Sequence, residues 1–147
     1  MGNRAPEALY LSNVPTDNLR KRMSAPSFTE RELDLMAILW SRGPSTVSEV
    51  RERLADKLAY NTVLTVLTVL ERKGYVAHAE EGKAHRFRAL VKQDTAGATA
   101  AARLVEKVFG GSTERLLTHL VTERDIAPAE LLRLRALLDK KLGEAGK

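Results

Sequence analysis

The chain contains no cysteine, which removes disulfides and the Cys-ligated zinc and iron–sulfur centres. Its three histidines, His78, His85 and His119, show no i,i+4 pairing, so no metal ligand set is expected, and no cofactor either. No apolar run approaches the roughly 18 residues of a membrane span. A phosphate-cradling glycine loop, a nucleophile beside a base and a cleft-forming pair of acids are all missing, so no catalytic residue is expected. Aromatics are scarce, with one Trp, three Tyr and three Phe, which argues against a pocket built around a small molecule.

What is present fits a small chain rather than a large enzyme. At 147 residues with 44% hydrophobic content, the chain can bury one good core plus a satellite, or one domain whose second half needs a partner. Residues 1–26 lack periodicity and carry Arg20-Lys21-Arg22 as their charge cluster. They read as a disordered tail, either simply solvated or adding non-specific phosphate contacts. No continuous apolar core of a secretory signal occurs there, and the expected location is cytoplasmic. The net charge of +5 favours an anionic partner modestly. Residues 60–90 hold five Lys or Arg against three Glu, so charge supports a nucleic-acid partner without establishing one.

Helix signals begin at Thr29, whose spacing to Glu32 predicts a capping box, with Phe28 and Leu33 placed as a hydrophobic staple. The following helix carries one stripe of Leu33, Met36, Ala37 and Trp40 and a second of Leu35, Ile38 and Leu39, and is expected to be covered on both sides. Gly43-Pro44 breaks the chain. Thr46 and Glu49 then open a second helix, on which Val47, Val50 and Leu54 share a face.

The third helix is the most informative segment. Val63, Val66, Leu67 and Leu70 fall in one arc, while Asn61, Thr65, Thr68 and Arg72 fall opposite. Lys73-Gly74 ends it with a cation in the last turn and a residue able to take positive φ. Two short strands follow, Tyr75 to Glu80 and Ala84 to Leu90, around a turn at Glu81-Gly82-Lys83. On the second strand Phe87 is expected inward and Arg86 and Arg88 outward, with Lys83 and His85 near the tip. Three helices and a hairpin within roughly sixty residues make a winged helix-turn-helix, a mainly α fold with a small β-hairpin wing.

Such a helix enters the major groove of double-stranded DNA. The expected DNA-facing residues are Tyr60, Asn61, Thr62, Leu64, Thr65, Thr68, Arg72 and Lys73 on the helix, and Lys83, His85, Arg86 and Arg88 on the wing. Asn can bridge adenine N6 and N7, and Thr methyls or Leu64 can meet thymine methyls, which points to an A·T-containing half-site. The bland alternative is that the polar residues only solvate the outer face of a buried helix.

The winged domain is expected over 27–92 and a helical dimerisation region over 93–147. There Leu104, Val105, Val108 and Phe109 share a helix side that Gly110-Gly111 ends. Ser112 caps a helix bearing Leu116, Leu117, Leu120 and Val121, and Pro128 opens one bearing Leu131, Leu134 and Leu138. Three short helices bury little among themselves, so a two-fold homodimer is the economical solution. The alternative is that they fold back onto the winged domain of the same chain.

Leu33-Asp-Leu-Met-Ala-Ile-Leu-Trp40, Tyr60-Asn-Thr-Val-Leu-Thr-Val-Leu67, Arg72-Lys-Gly-Tyr75, Val108-Phe-Gly-Gly111 and Asp125-Ile-Ala-Pro128 together resemble the BlaI/MecI family of penicillinase and methicillin-resistance repressors. The match runs from about Phe28 to Leu142. The resemblance implies a homodimeric transcriptional repressor that binds a pseudo-palindromic operator. It also implies release by proteolysis or another stress signal, with a membrane sensor protease or its downstream protease as partner and no membrane insertion of the chain itself. Relatives are cut at an Asn-Phe pair, where this chain has His119-Leu120. Family members often carry Arg near the positions of Leu64 and Val69, so the operator here is expected to differ from the penicillinase one. Two other classes remain open: a ligand-responsive winged-helix regulator, and a winged helix used as a protein-interaction module.

Overall fold

The computed structural model describes residues 26–146, and the expected N-terminal tail lies outside the described residues apart from Pro26. Helix α1, Glu30–Arg42, starts at a complete capping box: Thr29 accepts from the Glu32 N–H and Glu32 accepts from the Thr29 N–H. Gly43, at φ +93°, turns the chain out of α1 into a two-residue strand β1, Ser45–Thr46. Helix α2, Val47–Arg53, opens on a second capping box built from Thr46 and Glu49.

Helix α3 spans Tyr60–Arg72 and closes in a Schellman turn, with the Tyr75 N–H on the Leu70 carbonyl and the Gly74 N–H on the Glu71 carbonyl. Gly74 sits at φ +85°, a conformation that side chains with a Cβ rarely adopt. Strands β2, Val76–Glu81, and β3, Ala84–Ala89, pair antiparallel from Val76↔Ala89 to Glu81↔Ala84. Only Gly82 and Lys83 lie between them. Gly82 at φ +62° followed by a residue of ordinary φ is the pattern of a type II′ hairpin turn, whose twist matches the strands.

β1 adds to the other edge of β3, giving the order β1-β3-β2. Two residues carry no alternation pattern, so this strand left no signal in the sequence. The core beneath gathers Leu35, Met36 and Leu39 of α1, Val47 and Val50 of α2, Val63, Leu67 and Leu70 of α3, and Val76 and Phe87 of the hairpin. Burying a side chain of this size contributes about 1.5–3 kcal/mol, enough to hold a helix as rich in Val and Thr as α3.

The expectation that α1 is covered on both sides is corrected. Leu33 is 39% exposed and Ala37 is exposed, while Leu35, Met36, Ile38 and Leu39 are buried. Phe28, expected to staple Leu33, instead packs its ring on Tyr75 at 4.6 Å and edge-on to Trp40 at 6.2 Å. Aromatic partners offer it more area than one leucine on an open face. The Trp40 indole N–H donates to the Val91 carbonyl at 2.8 Å, tying the chain after the wing to α1.

Three more helices follow: α4 Gln93–Lys107, α5 Thr113–Glu123 and α6 Pro128–Ala145. Val108 and Phe109 lie just past α4 rather than on it. The Val108 N–H still bonds the Leu104 carbonyl, while the Gly111 N–H reaches back to the Val105 carbonyl and Gly110 and Gly111 both take positive φ, so the chain turns out of the helix at Val108. Ser112 caps α5 through the Arg115 N–H, and Pro128 starts α6. The chain divides into two compact units between Ala101 and Ala102, inside α4.

Candidate nucleic-acid interface

Successive residues of an α-helix are about 100° apart, so positions i, i+4, i+7 and i+11 share an arc of roughly 60°. On α3 these are Asn61, Thr65, Thr68 and Arg72, and all four are exposed. Val63, Leu67 and Leu70 on the opposite side are fully buried. Tyr60 and Thr62 are exposed in the first turn, whereas Leu64 is half-buried and packs against the core. No acid stands in that turn and Ala59 supplies no side-chain cap, so the positive end of the helix is left uncompensated.

The hydroxyls on this face are turned back. Thr65 Oγ1 donates to the Asn61 carbonyl and Thr68 Oγ1 to the Leu64 carbonyl, each at 2.8 Å. At the far end of α3, Lys73 Nζ lies 2.8 Å from Glu32 Oε1, whose residue is only 4% exposed. Burial pushes the Glu32 carboxyl up, but hydrogen bonds from Lys73 and the Thr29 N–H outweigh it and hold the group below its ordinary range. Lys73 thus fastens the end of α3 to the start of α1, where the sequence suggested a DNA-facing cation.

On the wing, Lys83 at the tip and His85 are exposed and Arg88 is half-buried. His85 stacks on His78 at 4.5 Å, and His78 Nδ1 lies 2.5 Å from Glu71 Oε2. Arg86 departs from its expected outward position. Its guanidinium donates to the Pro44 carbonyl at 3.0 Å, to the two Glu49 oxygens at 3.1 and 3.4 Å, and to Glu81. The hydrogen bond to Glu81 and the charge of Glu49 hold it protonated beyond its already high ordinary value. For Glu49 burial acts upward, but Arg86, the Thr46 N–H and Arg42 lower it below the usual carboxylate range. The alternation that pointed Arg86 away from Phe87 was followed, but β1 and α2 occupy that side and supply the acid.

A profile of the penicillinase repressor family matches residues 28–140. The chain belongs to this family. Its relatives include the transcriptional regulator BlaI of Mycobacterium tuberculosis, 36% identical over 121 residues, or 79% of this chain and 86% of that protein. The methicillin resistance regulatory protein MecI of Staphylococcus aureus is 23% identical over 112 residues, covering 75% of this chain and 91% of that one. Among solved structures, a MarR family protein from Bacillus stearothermophilus aligns with a TM-score of 0.45 and 21% identity over 93% of this chain and 88% of the other. So loose a likeness adds nothing to the architecture already described. Membership of the penicillinase repressor family, joined to three helices and a wing, makes this a winged-helix transcriptional regulator of repressor type.

Two exposed cations in this repressor were missed in the sequence, Arg53 at the end of α2 and Lys57 in the connection to α3. In a helix-turn-helix that connection leads into the groove-facing helix, and the fold class was the signal that could have found them. Among the described residues no cluster of His, Asp or Glu is arranged for a metal, and no helix is long and apolar enough to cross a membrane.

In the second unit, no described residue is buried. Leu104, Val108, Leu117, Leu120, Val121, Leu131 and Leu138 are exposed, and Val105, Phe109, Leu116 and Leu134 are half-buried. Leu132, Leu137 and Leu142, not singled out in the sequence, are exposed as well, Leu142 to 71%. His119 lies within α5, its ring 5.3 Å from Phe109 and its Nδ1 3.3 Å from Glu123 Oε1.

Proposed function

We propose that the chain is a homodimeric repressor that lays α3 in the major groove of a pseudo-palindromic operator, sets the wing tip on the adjacent backbone, and blocks transcription by occupying the promoter. The observation that carries this is the division of α3 into a fully buried face and an exposed arc of Asn61, Thr65, Thr68 and Arg72, in a chain of the penicillinase repressor family. Asn61 is suited to bridge adenine N6 and N7. Arg72 and Lys83, with Arg53 and Lys57 before α3, are suited to phosphates, which position the protein without reading sequence. Tyr60 and Thr62 stand where the first turn of α3 meets the groove.

The dimer is supported by the second unit, where α5 and α6 bury no residue. Leucines this open mark an association surface, and a second copy supplies the same surface by symmetry. Two-fold pairing sets two α3 helices about 34 Å apart, one duplex turn, and demands a palindrome.

The test is selection of bound sequences from random duplex DNA with the full chain, together with its mass by sedimentation. A palindrome with half-sites about one turn apart and a dimer mass are expected. A monomer that enriches no motif overturns the proposal.

A further inference from the structure

We infer that this repressor reads thymine at two positions of its half-site through the methyl groups of Thr65 and Thr68, with both hydroxyls withdrawn from base readout. The inference rests on the groove reading above and adds the chemistry by which the middle of α3 selects its bases.

A threonine can offer a base edge either a hydroxyl, which donates and accepts, or a methyl, which does neither. The rotation about Cα–Cβ decides which one faces outward. In both residues Oγ1 donates its proton to the carbonyl four residues earlier, at 2.8 Å, an arrangement open to threonine in helices. The oxygen is held against the helix backbone. The other substituent on Cβ, the methyl, is thereby left to cover the outer face of the residue.

The neighbours reinforce this. Leu64 is drawn against the core and Val69 is half-buried, so neither competes for the middle of the exposed arc. The N–H-bearing side chains of the arc, Asn61 and Arg72, stand at its two ends. Between them lies a surface with no charge and no outward donor. Such a surface offers no donor to guanine O6 and N7, and its two oxygens are held at the helix backbone rather than toward a cytosine amino group, whereas thymine alone among the four bases presents a methyl in the major groove. Thr65 and Thr68 are three residues apart, a rise of about 4.5 Å, against about 3.4 Å per base pair. The two thymines therefore lie within about two base pairs of each other.

The test uses the full chain and the operator recovered by selection. Each thymine of a half-site is replaced in turn by deoxyuridine, which removes the methyl and leaves the pairing edge intact. Losing one buried methyl is expected to weaken binding about fourfold, at two positions separated by no more than two base pairs. The Thr65→Val, Thr68→Val double variant keeps outward methyls without hydroxyls and should show the same penalties at the same positions. The Thr65→Ser, Thr68→Ser variant keeps hydroxyls without methyls and should show none there. Both sites are exposed, and circular dichroism confirms that each variant is folded.

Deoxyuridine that is harmless at every thymine overturns the inference while leaving the repressor reading intact. So does a Ser variant that keeps the penalties or a Val variant that loses them. Failure of the selection to enrich any motif removes the groove reading and this inference together.

Discussion

Arg86→Ala should unfold the winged unit more easily without lowering the salt dependence of DNA binding, because its guanidinium is spent inside the protein. The side chain is 17% exposed and grips Glu49, itself 26% exposed, through two hydrogen bonds, with the Pro44 carbonyl as a third acceptor. A hydrogen bond to a charged group contributes about 1.5–3 kcal/mol. Arg42 lies 3.4 Å from the same Glu49 oxygen and partly replaces the lost cation, so the loss falls near the lower end, about 1.5–2 kcal/mol. The contact with exposed Glu81 adds no energy to this sum. For a domain of this size such a loss lowers the melting temperature by roughly 6–15 °C.

Trp40, the sole tryptophan, belongs to α1 and reports on this unit alone by fluorescence during thermal or urea unfolding. A double-mutant cycle with Glu49→Gln should return a coupling of about 1 kcal/mol or more. An Arg86→Ala protein with unchanged melting, weaker binding to every DNA and a salt slope reduced by about one would identify a phosphate contact and refute the reasoning.

Glu32 should set part of the acid limit of stability. Its folded carboxyl titrates below the ordinary 4.5, so its contribution is present above that value and is lost as the pH falls through the lower folded one. Glu32→Gln should flatten the fall in melting temperature below about pH 4.5, and superimposable acid limbs would exclude this role. Lys83→Ala at the wing tip is expected to weaken operator and random DNA alike and to lower the salt slope by about one, while Asn61→Ala weakens the operator alone by about 1–3 kcal/mol; titrations at several salt concentrations separate the two, and an equal loss on random DNA would remove Asn61 from base readout. Leu138, 54% exposed on α6, should give a chain of monomer mass in sedimentation when changed to Glu, and a variant that keeps the parent mass would place the association surface elsewhere.

The features legible in the sequence were those whose partners lie within one helical turn. Thr29 with Glu32 and Thr46 with Glu49 predict two helix starts, and both capping boxes form. The two faces of α3 follow from period alone. What periodicity could not supply was the partner opposite each face. It made Leu33 and Ala37 look as buried as Met36, and only the packed structure shows that nothing in the described unit covers them. It turned Arg86 away from Phe87 correctly but could not place Pro44 and Glu49, 42 and 37 residues earlier, on that side.

The same limit hid a shared device. Each capping glutamate, read locally as a helix start, also accepts from a cation of a distant element. Glu32 takes Lys73 from the end of α3, and Glu49 takes Arg86 from β3. A buried or half-buried carboxylate already fixed by a backbone N–H has little freedom left, so the cation it binds inherits that rigidity. The two acids that begin α1 and α2 therefore also hold the tilt of α3 and the seat of the wing. Lys73 and Arg86, which their positions at the helix end and on the wing offered as DNA contacts, are tied instead to Glu32 and Glu49.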